Sequence, residues 1–261
     1  MQKSITFKNA NISFSDNGKG TAVVLIHGFL ENSTMWDSIV PELSKKNRII
    51  TIDLLGHGNS DCLGYVHSMH LFAETVEAVL KHLRIRKCIM VGHSLGGYVA
   101  LAFAQKYSQK TKGLCLMNST SNEDDNERKD LRARANKMVQ SNFTNMVRMS
   151  FVNLFREENR AKFEEEIKLA LKEALKTPIQ GYIAANEGMK LRPNTNHVLK
   201  KNTFKKLIII GEKDPVLDYK KSLNETKKTN SEYVVFPDGH MSHIENQVEL
   251  VTALKSFIKS C

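Results

Sequence analysis

The sequence predicts an α/β fold: a mostly parallel sheet flanked by helices, with one all-helical insertion. Short apolar runs recur along the chain, amphipathic helical patterns separate most of them, and a long charged helical stretch interrupts the alternation once. The runs are Ala22–Ile26, Ile49–Ile52, Cys88–Val91, Leu114–Met117, Leu207–Ile210 and Tyr233–Phe236. Each is short, rich in branched residues and apolar throughout, as expected of strands buried on both faces of a parallel sheet. Ile5–Phe14 alternates polar and apolar residues instead, which predicts an antiparallel hairpin at the sheet edge. Leu71–Leu83 carries Val76, Val79, Leu80 and Leu83 on one helical face, and such strand–helix alternation implies right-handed crossovers.

The alternation stops between Leu116 and Leu207. Residues 122–192 read as helix only, most plainly at Glu164–Leu175 (EEEIKLALKEAL). Thr177-Pro178-Ile179-Gln180 has the form of a capping box opening another helix, and Pro193 closes the segment. The expected organisation is therefore a core made of residues 1–121 and 193–261, interrupted by a helical cap or lid over 122–192.

Composition narrows the function classes. The 261 residues carry 38 Lys and Arg against 28 Asp and Glu, a net charge of +10. The lysines fall in scattered pairs without interleaved aromatic residues, which argues for a solvated surface and against a nucleic-acid footprint. No apolar run approaches the ~20 residues of a spanning helix. The N-terminal stretch lacks the apolar core of a secretory signal, so a cytoplasmic protein is expected. Cys62, Cys88, Cys115 and Cys261 lack a C-x-x-C spacing and read as reduced thiols. No cofactor and no metal are expected; His240-x-x-His243 near Glu245 has no further ligand in register. Oligomeric state is not encoded in any pattern of the sequence.

The chemistry concentrates in Gly92-His93-Ser94-Leu95-Gly96. A strand candidate precedes it and a helix follows, the context that a G-x-S-x-G turn needs. Glycines on both flanks let the chain reverse sharply and lift the Ser94 hydroxyl clear of the sheet at a helix N-terminus, where unpaired N–H groups favour developing negative charge. A serine hydroxyl needs a base to take its proton, and the base an orienting acid. Asp214 follows the Leu207–Ile210 run and His240 follows Tyr233–Phe236, both at the carboxyl edge where such sheets place ligands. The order Ser94, Asp214, His240 matches one known triad arrangement. His243 competes with His240, but its expected place in the first turn of the last helix ties its direction, whereas Gly239 frees the His240 loop. Asp218 and Asp238 compete with Asp214. His27, His57 and His93 read as loop-structuring residues, and Trp36 as core.

The motifs HGF (His27–Phe29), DLLGHGNSD (Asp53–Asp61), GHSLGG (Gly92–Gly97), GEKDP (Gly211–Pro215) and DGH (Asp238–His240) together resemble α/β-hydrolase-fold proteins with a helical cap. The likeness covers both ends of the chain and none of the insertion. It implies an oxyanion hole formed by the backbone N–H groups of Phe29 and Leu95. It further implies a serine hydrolase acting on a small carboxylic ester or related acyl substrate through an acyl-enzyme. Relatives on the same fold cleave carbon–carbon bonds, open enol-lactones or eliminate pyruvate in menaquinone synthesis. The last group usually has arginine directly after the two glycines, where this chain has Tyr98. A receptor-like member without catalysis is a third expectation, against which the complete triad pattern argues.

Overall fold

The apolar runs become strands of one eight-stranded sheet in a computed structural model that describes residues 2–261. In chain order the strands are β1 (Gln2–Phe7), β2 (Ala10–Asn17), β3 (Thr21–Ile26), β4 (Asn47–Ile52), β5 (Cys88–His93), β6 (Thr111–Met117), β7 (Lys205–Gly211) and β8 (Glu232–Phe236). Their spatial order is β1-β2-β4-β3-β5-β6-β7-β8. The segment from β3 onward is parallel throughout. β1 and β2 form the expected antiparallel edge hairpin, and β2 also runs antiparallel to β4. The fold is thus a mostly parallel sheet with helices on its faces, as the sequence predicts.

The helices are α1 (Val40–Leu43), α2 (Met69–His82), α3 (Leu95–Lys106), α4 (Asn126–Val152), α5 (Glu164–Ala174), α6 (Ile179–Lys190), α7 (Asn196–Lys201), α8 (Tyr219–Thr229), α9 (Ser242–Glu245) and α10 (Gln247–Ser260). Period-two geometry explains why the strands are apolar throughout: successive side chains point to opposite faces, and both faces are covered. Val24, Ile26, Met90 and Leu114 join one core with residues of α2 and α3. Val23, Leu25, Val91 and Cys115 join the other with Trp36, Leu254 and Phe257. Trp36 is fully buried there, as expected of a core residue.

Helices α4 to α6 follow one another between β6 and β7 and have an apolar cluster of their own, built on Val139, Val147, Phe151, Phe155 and Ile167. Leu30 and Met241, from loops at the sheet edge, complete that cluster. α4 breaks its helical geometry at Asn142. The capping box expected at Thr177 does not form: Pro178 is the N-cap of α6 without a side-chain cap, and Gln180 donates to the Gly64 carbonyl. Short-range spacing identified the start of the helix, but a tertiary contact claimed the glutamine.

α6 seats on the loop 56–67 through two glycines. A Cβ at Gly181 would fall on the Gly56 backbone, and one at Gly188 on the His67 carbonyl. The His67 amide donates to the Ala184 carbonyl at 2.8 Å along the same contact. Gly188→Ala is therefore expected to destabilise the protein by about 1–3 kcal/mol, the usual range for overpacking a tight contact. Thermal unfolding checks this, and an unchanged midpoint would show that α6 is not seated through this contact.

Candidate active site

The site grows from the ends of β3 and β5, where the sheet order departs to opposite sides and α/β folds place their ligands. Ser94 links β5 to α3 with φ 49° and ψ −113°. A non-glycine residue held there costs roughly 1–3 kcal/mol, so the surroundings must enforce it. They do so through backbone contact: a Cβ at Gly92 would fall on the Gly96 carbonyl, and one at Gly96 on the carbonyls of Ile26 and His27. The Ser94 amide donates to the Met117 carbonyl at 2.9 Å and the Ser119 hydroxyl donates to the Ser94 carbonyl at 2.7 Å. The turn is thus fixed from β6 as well as from its own glycines.

Asp214 and His240 meet across the ends of β7 and β8. His240 Nδ1 lies 2.7 Å from Asp214 Oδ2, and both side chains are buried. Asp214 Oδ1 accepts from the amides of Val216 and Leu217 at 2.8 and 3.0 Å. Burial alone would raise the Asp214 pKa, but the His240 charge and these hydrogen bonds hold it below the usual carboxylate value. Asn118 Nδ2 donates both to Asp214 Oδ2 and to the Gly239 carbonyl, each at 3.1 Å, and so ties the acid's loop to the histidine's.

Ser94 and His240 line one cavity of about 250 Å³, together with Phe29, Tyr98 and residues of α4 and α6. No hydrogen bond joins Ser94 Oγ to His240 in this arrangement. Such contacts are often open without substrate and close in the reacting complex. Among the described residues the amides of Phe29 and Leu95 make no hydrogen bond, and Leu95 opens α3, so its N–H belongs to an unpaired helix terminus.

The competing residues lie elsewhere. Asp218 is the N-cap of α8 and accepts from the Lys221 amide. Asp238 binds Asn159 and Asn246. His243 does not open the last helix as expected: it sits in the short α9, which the non-helical Asn246 separates from α10, and it lines a different cavity of about 620 Å³. Burial pushes its pKa down to about 4, which keeps the ring neutral at pH 7. His27 accepts the Leu54 amide on Nε2 at 2.9 Å, so Nδ1 carries the proton and donates to the Gly28 carbonyl. That is the loop-structuring role expected of it.

His93 has a larger part than its sequence context suggests. Nδ1 lies 2.6 Å from Glu31 Oε2 and Nε2 lies 2.9 Å from the His240 carbonyl. Both partners are acceptors, so both ring nitrogens donate and the ring is an imidazolium. Burial opposes that charge, but Glu31 raises the His93 pKa above its usual value. Burial likewise opposes the Glu31 carboxylate, yet His93 holds its pKa down at about 2. Glu31 Oε2 also accepts the Gly28 amide at 2.6 Å. Ligand atoms of Glu31, His93 and His243 lie within 4.8 Å of one another. However, His93 Nδ1 already serves as a proton donor to Glu31, which marks the trio as an ion pair with a neutral neighbour. Glu31 and Asn118 escape sequence reasoning, because their partners lie 62 and 96 residues away.

A family model described as alpha/beta hydrolase fold matches residues 21–247. A thermophilic esterase from Thermogutta terrifontis, in a malate-bound structure, superposes with a TM-score of 0.94 at 28% identity, covering 100% of this chain and 98% of that one. An enol-lactonase from Burkholderia xenovorans gives 0.91 at 17% identity, covering 98% and 100%, a likeness of fold. Among curated relatives, the pimeloyl-[acyl-carrier protein] methyl ester esterase of Aeromonas hydrophila is 35% identical over 111 residues, 42% of each chain. An uncharacterized protein of Mycobacterium tuberculosis is 38% identical over 107 residues, 41% of this chain and 31% of that one. The chain therefore spans less than half the length of the curated relatives it matches. Among the described residues no helix is long and apolar enough to cross a membrane.

The two depressed and raised pKa values set a pH window for the Glu31–His93 pair. Glu31 falls from 4.5 to about 2 on folding, so its contribution is complete above pH 4.5 and lost as pH falls through about 2. His93 rises above 6.5, so its contribution is complete below pH 6.5 and lost as pH rises through the higher folded value. Glu31→Gln strands a buried imidazolium and is expected to cost about 3–5 kcal/mol. Denaturant unfolding at a series of pH values should show the deficit largest between pH 4.5 and 6.5. A deficit independent of pH would contradict the ion pair.

Proposed function

The chain belongs to the α/β hydrolase fold family, and on that premise we propose that it is a serine hydrolase cleaving small carboxylic esters through an acyl-enzyme. The observation that carries the reading is the buried Asp214–His240 pair on the same cavity as a serine held in a strained turn. Ser94 Oγ attacks the ester carbonyl while His240 Nε2 takes its proton. Asp214 keeps the proton of Nδ1 in place, fixes the ring's direction and stabilises the imidazolium that forms. The unengaged amides of Phe29 and Leu95 receive the oxyanion, a contribution worth roughly 3–4 kcal/mol per donor in comparable sites. His240 then protonates the leaving alcohol; in the second half it takes a proton from water as the water attacks the acyl carbonyl, and the adduct collapses to the carboxylic acid and Ser94 Oγ, which takes the proton back from His240.

Helices α4 to α6, within residues 122–192, serve as a cap. Their residues Phe151, Tyr182 and Met189 line the cavity opposite Ser94's loops, so substrate choice resides there. The similarity to the Thermogutta esterase over the whole chain supports the esterase assignment.

Steady-state and burst kinetics on nitrophenyl acetate test the roles. Ser94→Ala should lower turnover by about 10⁶-fold, as expected for one member of a cooperating triad. His240→Ala should abolish the acyl-enzyme burst, whereas His243→Ala should cost about tenfold or less, below the ~10²–10⁴ of acid–base catalysis. A severe loss from His243→Ala alone would reverse the assignment.

A further inference from the structure

The wall of the cavity supplied by α4 is positively charged beyond what its own carboxylate neutralises. Asp124, buried just before α4, meets Arg132 Nε at 2.6 Å, Arg192 Nη1 at 2.9 Å and Arg128 Nε at 3.6 Å. No other carboxylate among the described residues is paired with these three arginines. One negative charge therefore faces three positive ones. The other ionised groups on the lining, Glu31 and His93, neutralise each other.

Arg128 and Arg132 both line the cavity that holds Ser94 and His240, whereas Arg192 lies outside that lining, behind Tyr98, with its guanidinium 3.8 Å from the centre of the Tyr98 ring. Arg132 is preorganised. Nη1 donates to Asn186 Oδ1 at 2.9 Å, and Asn186 in turn donates to Asn136 Oδ1 and to the Arg132 carbonyl. Among the described residues its Nη2 makes no hydrogen bond, and neither does Nη2 of Arg128, whose Nη1 donates to the Val216 carbonyl. Fixed guanidinium groups with free donors, in a wall of low dielectric, are suited to a carboxylate, whose planar fork they match.

We propose that the substrate is a short ester carrying a second, free carboxylate, bound by Arg132 with help from Arg128. The inference rests on the reading of this cavity as the reacting site. A cavity of about 250 Å³ suits an acyl chain of a few carbons between the two groups; drug-sized sites run to roughly 300–1,000 Å³. Monoesters of short dicarboxylic acids have this form. The carboxylate would sit on the α4 wall and the ester carbonyl at Ser94.

Binding separates this claim from catalysis. Calorimetric titration of the Ser94→Ala protein with monomethyl glutarate and its neutral isostere, methyl 5-methylhexanoate, should show the acid binding at least about tenfold tighter, the order expected for a charge-assisted bidentate contact. Arg132→Gln should erase the preference, and Arg132→Lys should restore only part of it. Should Arg132→Gln unfold, Arg128→Gln, at a more exposed position, should still reduce the preference severalfold. Equal binding of the two esters, no binding of either, or a preference that survives both glutamine variants would overturn the proposal. A preserved preference in a wild-type protein that hydrolyses neither ester would overturn the hydrolase reading and leave the carboxylate site standing.

Discussion

A buried ion pair holds together the edge of the sheet where the proposed site lies. Glu31 accepts the Gly28 amide and the His93 ring on the same oxygen, while the far nitrogen of His93 holds the His240 carbonyl. Three segments distant in sequence are fixed by this pair: the turn after β3, the end of β5, and the loop after β8. These are the segments proposed to supply the oxyanion amides, the nucleophile and the base. A catalytic arrangement tolerates displacements well below 1 Å, and loops leaving different strands have no covalent reason to keep that register. An imidazolium with two donors can bridge them, whereas a neutral ring could satisfy only one acceptor. Isolated burial of either charge would be costly, so the pair stands or falls as a unit.

Asn118 performs the corresponding service on the other side of the site. It leaves β6 with φ 46°, joins the Asp214 carboxylate to the Gly239 carbonyl and accepts from the Ser242 hydroxyl at 2.7 Å. The Asp214–His240 contact is therefore held at both loops, while Ser94 is held by backbone sterics and by its hydrogen bonds to Met117 and Ser119. The proposed nucleophile and base are thus held by separate parts of the fold, which leaves their mutual contact free to close when substrate arrives.

What was legible in the sequence was local. Strands buried on both faces appear as unbroken apolar runs, and the elbow at Ser94 announces itself through Gly92 and Gly96, although only Gly92 is excluded within the turn itself and Gly96 is required by the distant carbonyls of Ile26 and His27. Asp214 and His240 could be named because each directly follows a strand. Glu31, Asn118 and Arg132 could not, because each acquires its meaning from partners brought close only by the fold. The capping box at Thr177 failed for the same reason, since Gln180 found a partner on a distant loop. His243 shows the converse. Its sequence position rivalled that of His240, and what separates them is that His240 meets Asp214 on the Ser94 cavity while His243 faces Glu31 and lines another. The charge tells a similar story: the scattered surface lysines suggested nothing specific, while Arg128 and Arg132, one turn apart on α4, are joined on Asp124 by the distant Arg192.

The central claim is that the Ser94 turn presents a nucleophile activated by the folded site. Peptide mass spectrometry after treatment with a fluorophosphonate tests it most directly. The account expects a single adduct on Ser94 in the native protein, forming quickly, and none once the chain is unfolded in urea. An unmodified Ser94 in the folded protein, or an adduct on another hydroxyl, would contradict it.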